Sequence, residues 1–136
     1  MSFTALQGAT LITCHEFAAK FLVTGVFRLY SWLGPNKEEY KSSRVIKDLC
    51  AAQMNCSEYS ALLAAPLFFL AAMGHGDDNP TGVLLAVVGQ VGYFWTRVLV
   101  GYPTVPVATM ATIRYVGFLF ICKQLFTLSS GAGRKK

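Results

Sequence analysis

Charge is what this 136-residue sequence has least of. Asp, Glu, Lys and Arg make up 14% of it and hydrophobic residues 54%, where a soluble domain carries about 25% charge. So few charges cannot comfortably cover a soluble globule. The formal net charge is +5, and much of that excess sits in the last three residues, Arg134, Lys135 and Lys136. No long basic stripe interleaved with aromatics occurs, which argues against nucleic acid as a partner. A basic end suits anionic lipid headgroups better. The cysteines at 14, 50, 56 and 122 form no C-x-x-C pair, and the histidines at 15 and 75 complete no zinc spacing. No metal is therefore expected. The cysteines read as small hydrophobes, and nothing in their spacing specifies a disulfide. A basic n-region and a small-residue cleavage site, the marks of a signal peptide, are also missing. There is no internal repeat, and the length fits a single domain, 1–136.

What the sequence does have is long apolar runs. The first candidate span runs from about Gly8 to Leu33 and ends at Gly34-Pro35; it carries His15, Glu16, Lys20 and Arg28 and is the least apolar of four. Residues 35–48, PNKEEYKSSRVIKD, form a polar loop plus the first turns of the next helix. The second span covers about 49–74, with Pro66 inside it, which a membrane helix tolerates. GHGDDNP at 74–80 is a turn. The third span, 81–102, reaches about 33 Å as a helix, close to the hydrocarbon thickness of a bilayer. PTVP at 103–106 is a short connection, and the fourth span runs from about 107 to 129. Strands are excluded by the length of the runs and the lack of alternation. A soluble bundle would need a polar face on every helix, and the second and fourth spans have none. The expected fold is an all-α integral-membrane bundle of four transmembrane helices. Loop 35–48 carries both signs of charge, so the positive-inside rule does not set the orientation. Gly25, Gly89, Gly92 and Gly117 suit close helix packing.

Function should reside in the polar residues of the spans. Asn55, Glu58 and Tyr59 have i, i+3, i+4 spacing and share a helical face; Gln53 lies more to the side. Asn55-Cys56-Ser57 matches a glycosylation acceptor, but it runs straight into an apolar helix, where no sugar is expected. Gln90, Tyr93 and Arg97, extended by Gly101, stripe the third helix. Arg28 lies late in the first span and Arg114 early in the fourth. Up-down connectivity puts Arg28, Glu58, Arg97 and Arg114 in one leaflet, beside loop 35–48. Arginine and glutamate in lipid are costly and should face the bundle, a cavity or a headgroup. Three cations and one carboxylate suit a zwitterionic, net anionic ligand: guanidinium forks pair with carboxylates, Glu58 accepts an ammonium, and adjoining apolar helices receive a lipid tail. Each residue also has a structural reading. Glu58 can lock two helices through an arginine, Arg28 and Arg97 can reach lipid headgroups, and Tyr93, Trp95 and Tyr102 can anchor the interface.

The run QMNCSEYSALLAAPLFFLAAMG, residues 53–74, closely resembles the second-helix signature of the membrane-associated proteins in eicosanoid and glutathione metabolism. YFWTRVLVGY, residues 93–102, is similar to the end of that family's third helix. The resemblance extends over the whole chain in length and layout. It implies an integral-membrane homotrimer of the endoplasmic reticulum or another intracellular membrane. Glutathione would bind as co-substrate between subunits, and a fatty-acid-derived or other lipophilic electrophile would enter from the bilayer. It also implies glutathione-contacting roles for Arg28, Gln53, Asn55, Glu58, Tyr59, Tyr93, Arg97 and Tyr102. The family's leukotriene-forming synthases have a glutathione-contacting arginine where this chain has Ala51. They also have a catalytic arginine just before or at the start of the fourth helix, where GYPTVPVATM has none. Arg114 is the first candidate for thiol activation and Arg97 the second. The implied chemistry is attack of a glutathione thiolate, stabilised by a guanidinium, on an epoxide, a conjugated alkene or a lipid hydroperoxide. The same departures fit a non-catalytic, lipid-presenting relative.

Overall fold

The computed structural model describes residues 3–34 and 42–131, excepting the side chains of residues 26, 28, 30 and 31. It is all-α. Helix α1 (Ala5–Lys20) passes through a π-helical stretch at Phe21–Phe27 into α2 (Arg28–Leu33), so the first span is one continuous rod. It is followed by α3 (Arg44–Ala72), α4 (Pro80–Val100) and α5 (Val105–Ser129). With α1–α2 counted as one rod, the molecule is a four-helix bundle, in which α4 packs most closely on α5 and α1 on α3.

Local sequence explains the ends. Thr4 and Gln7 form a reciprocal capping box that satisfies free N–H groups at the start of α1. Asn79 caps α4 by accepting from the Gly82 N–H, and Pro80 opens that helix where its missing donor costs nothing. Pro66 lies inside α3, as expected of an apolar helix that neighbouring elements support. Several boundaries differ from expectation by two or three residues: the first helix starts at Ala5, α4 ends at Val100 and α5 starts at Val105. Pro106 is not in the connection but in the first turn of α5, where proline is pre-set for helix. The α4–α5 link is therefore only residues 101–104.

Helices α4 and α5 are long and apolar enough to cross a membrane. Their close approach depends on glycine. A Cβ on Gly89 would lie 2.3 Å from the backbone nitrogen of Arg114, and one on Gly117 would lie 2.3 Å from that of Ala86. These glycines thus join two helices of one protomer. Gly25, by contrast, faces the Phe21 ring of its own helix.

The core has two apolar halves with a polar waist between them. One half gathers Ala9, Ile12, Leu63, Leu67, Val83, Val87 and Ile121. The other gathers Ala19, Leu49, Ala52, Cys56, Tyr93, Phe94 and Val107. In sequence, Glu16 falls between the two sets on α1, Ser60 on α3, Gln90 on α4 and Arg114 on α5. Every long helix therefore contributes a polar side chain at the same level.

Candidate functional site

Arg114 is the largest fully buried side chain, only 1% exposed. It projects from α5, where the Gly89 contact brings α4 against its own backbone. Its Nη1 donates to Asn55 Oδ1 on α3 at 2.9 Å and to Gln90 Oε1 on α4 at 3.2 Å. Tyrosine rings cover the rest of the guanidinium. The Arg114 Cζ lies 3.8 Å from the Tyr59 ring centroid, 4.7 Å from that of Tyr93 and 5.4 Å from that of Tyr115. The Tyr59 and Tyr115 hydroxyls hydrogen-bond to one another at 2.8 Å, and their rings meet edge to face. The two phenols close over the cation like a gate. Behind the gate, Arg114 Nε has no hydrogen-bond partner.

All of these contacts are neutral. Among the described residues no carboxylate pairs with Arg114. Amide oxygens and aromatic faces offset part of the cost of burying a guanidinium, but leave its charge uncompensated. Such a cation lowers the energy of any anion that settles nearby, most strongly where water is scarce.

The remaining candidates divide into groups. Arg97 belongs to a separate cluster at the loop end of the bundle. Its Nη1 donates to the Tyr93 hydroxyl at 2.8 Å, its Nε lies 3.9 Å from Asp48 Oδ1, and its Cζ lies 4.9 Å from the Tyr102 ring centroid. Arg44, the upstream arginine closest to the Ala51 position, joins that cluster; its Nε lies 3.9 Å from Asp48 Oδ2 and its Nη1 donates to the Val100 carbonyl at 3.3 Å. Arg97 is thus offset by a carboxylate, whereas Arg114 is not. Tyr93 links the two arginines, one through its hydroxyl and the other through its ring. Tyr102 is exposed.

On α3, Asn55 and Tyr59 both face Arg114, as their i, i+4 spacing predicts. Glu58 is exposed on the outer surface beside them. Gln53 does turn aside: its Nε2 donates to Glu16 Oε1 at 3.0 Å and to Ser57 Oγ at 2.6 Å. The side chain of Arg28 lies outside the described residues. Gln90, Tyr115 and Glu16 join the site or its support without having been assigned roles from sequence. Gln90 was visible as the inner end of the α4 stripe. Tyr115 carried no signal, because it follows Arg114 directly and so points about 100° around the helix; only the geometry shows its hydroxyl reaching Tyr59.

All four cysteines are free thiols, with Cys56 buried. Among the described residues no cluster of His, Cys, Asp or Glu is placed to hold a metal ion. No protein-family model, curated protein or solved structure matches this chain.

Proposed function

We propose that the protein is an integral-membrane glutathione transferase. It would act on a lipophilic, fatty-acid-derived electrophile, as a homotrimer in the endoplasmic reticulum or another intracellular membrane. One observation carries this reading: a fully buried arginine, uncompensated by any carboxylate among the described residues, sits behind two tyrosine hydroxyls on the flank of a bundle with exposed apolar faces. A buried ionisable group at membrane depth points to function before structure.

In this reading the glutathione sulfur rests on the Tyr59 and Tyr115 hydroxyls. Tyr115 is 45% exposed, so the phenols can be approached from the side of the bundle. A phenolic O–H donates to the sulfur, and the Arg114 charge beneath the rings favours the thiolate over the thiol. The thiol proton leaves to solvent. The thiolate then attacks the electrophile. With an epoxide, a C–S bond forms, a C–O bond breaks, and the alkoxide oxygen takes up a proton. The protein orients the two partners and stabilises charge; it supplies no covalent nucleophile. Exposed Glu58, one position from Tyr59, is suited to the ligand ammonium. Asn55 and Gln90 serve glutathione indirectly, by holding Arg114. Exposed Leu62, Phe69, Leu119 and Phe126 on α3 and α5 are suited to a lipid tail or a neighbouring subunit.

A second reading, a non-catalytic lipid-presenting protein, is favoured by the enclosure of Arg114, since no ligand reaches its guanidinium while the phenols stay together. Calorimetric titration with glutathione, followed by turnover with a model electrophile, separates the two. Heat with turnover supports the transferase, and heat without turnover supports the presenting protein. No heat at millimolar glutathione sinks the transferase and any presenting protein that binds glutathione.

A further inference from the structure

The polar waist carries opposite charges at its two ends. Glu16, on α1, is held by Gln53 and Ser57 and approached by Ser60, whose hydroxyl donates to the Cys56 carbonyl at 2.7 Å. Glu16 Oε1 accepts from Gln53 Nε2 and from Ser57 Oγ, and Glu16 Oε2 lies 3.4 Å from Ser60 Oγ. Ser60 Oγ in turn accepts from Gln90 Nε2 at 3.0 Å, and Gln90 Oε1 accepts from Arg114 Nη1 at 3.2 Å. The carboxylate and the guanidinium are therefore ends of one layer, kept apart by a serine and an amide that carry no charge.

The amide of Gln90 can face only one way. Its Nε2 donates both to the Cys56 carbonyl at 2.9 Å and to Ser60 Oγ. The Cys56 carbonyl can only accept, so nitrogen must face α3 and oxygen is left for Arg114. Gln90 is 0% exposed, so bulk solvent does not compete for these bonds. A glutamate of the same length would place a carboxylate on Arg114 and neutralise it. It would also turn an acceptor toward the Cys56 carbonyl. This chain instead holds its buried cation with a neutral acceptor and locks that acceptor from behind.

We propose that Gln90 is a positioning residue that fixes the Arg114 guanidinium while leaving its charge free for an anion at the Tyr59–Tyr115 gate. The inference rests on the glutathione reading for the identity of that anion, but not for the pairing itself. Gln90 touches neither substrate nor reacting atoms. Its effect passes through Arg114, whose net field would be cancelled by a carboxylate in its place.

Two variants of nearly equal length test it, Gln90→Glu and Gln90→Met, each compared with the parent in nanodiscs. The first readout needs no ligand. In nitrogen-15 spectra of the arginine side chains, with Arg114 assigned through Arg114→Lys, Gln90→Glu should shift the guanidinium signals and slow their hydrogen exchange. Gln90→Met should not slow it. The second readout is the thiolate absorbance of bound glutathione against pH. Gln90→Glu should cut the thiolate fraction at pH 6 by about tenfold or more, and Gln90→Met should cut it less, with the two losses not ranked by the two melting temperatures. A solely structural Gln90 would make the thiolate loss follow the melting temperature in both variants, and that result overturns the proposal. An Arg114 spectrum unchanged by Gln90→Glu also overturns it, even with the glutathione reading intact. A shifted spectrum with no thiolate in the parent overturns the glutathione reading and upholds the role of Gln90. Should Gln90→Glu not fold, a fully parental thiolate titration in Gln90→Met overturns the proposal, and a partial loss at unchanged melting temperature supports it.

Discussion

Replacing Arg114 with methionine removes the buried charge while keeping most of the side-chain volume, and its effect can be sized from the geometry. The Arg114 Cζ lies 3.8 Å from the Tyr59 ring centroid. A sulfur bound to the Tyr59 hydroxyl at the far edge of that ring would be about 7 Å from the cation. At an effective dielectric of about 20 the attraction there is about 2.4 kcal/mol, equivalent to about 1.7 pKa units. A free thiol titrates near pH 8.5, so the bound thiol would titrate at about 6.8. The sign follows directly: a cation favours the charged form, and its loss raises the thiol pKa. The thiolate fraction of bound glutathione should therefore fall about 40-fold at pH 6 in Arg114→Met, but only about fourfold at pH 8, where the parent is already ionised. Stability should move far less. The variant loses hydrogen bonds to Asn55 and Gln90, but it also sheds a desolvated charge. Absorbance titration of bound glutathione beside a thermal melt makes the test. A defect of equal size at both pH values, or one that follows the melting temperature, would refute the electrostatic role. If Arg97→Met showed the pH-dependent loss and Arg114→Met did not, the α4 arginine would be the activating one.

Other outcomes follow from the same geometry. Tyr59→Phe and Tyr115→Phe keep the rings against Arg114 but each removes a hydroxyl of the gate; each should lower thiolate formation at a melting cost of about 1 kcal/mol or less. Gly89→Ala places a Cβ 2.3 Å from the Arg114 backbone nitrogen and should destabilise the protein by about 1–3 kcal/mol, read in the thermal melt, because neither backbone can yield cheaply. Asp48→Asn takes the carboxylate from a largely buried Arg97 at a long 3.9 Å contact; it should cost about 1–3 kcal/mol and leave the thiolate titration unmoved. The trimer predicts a detergent-corrected molar mass three times that of the chain, and a purely monomeric species would count against a cleft between subunits.

Much of the architecture was legible because it is periodic. The four helices follow from the lengths of the apolar runs, and the α4 stripe of Gln90, Tyr93 and Arg97 and the pairing of Asn55 with Tyr59 on α3 follow from 3.6 residues per turn. Up-down connectivity was enough to place Arg114 at the level of Asn55. What could not be read was how each helix is rotated and how deep the fourth begins. Arg97 and Arg114 look equivalent as intramembrane cations. Only packing shows that Asp48 reaches the first, while three tyrosine rings and two amides enclose the second. The bond between Glu16 and Gln53 depends on the facing of α1 and α3, which hydropathy does not encode. Gly89 and Gly117 were visible as packing residues, but their partner helix was not. Pro106 reads as a linker residue in the sequence because proline marks a break and an allowed first turn with equal strength.

The proposed transferase depends most directly on where glutathione sits. A ligand-bound structure, obtained at millimolar glutathione in a lipid nanodisc, would show this. The account predicts the sulfur within hydrogen-bonding distance of the Tyr59 or Tyr115 hydroxyl, on the outer side of the rings that cover Arg114, with the ligand ammonium toward Glu58. Glutathione bound elsewhere on the protein, or absent from it with the tyrosine gate intact, would contradict it.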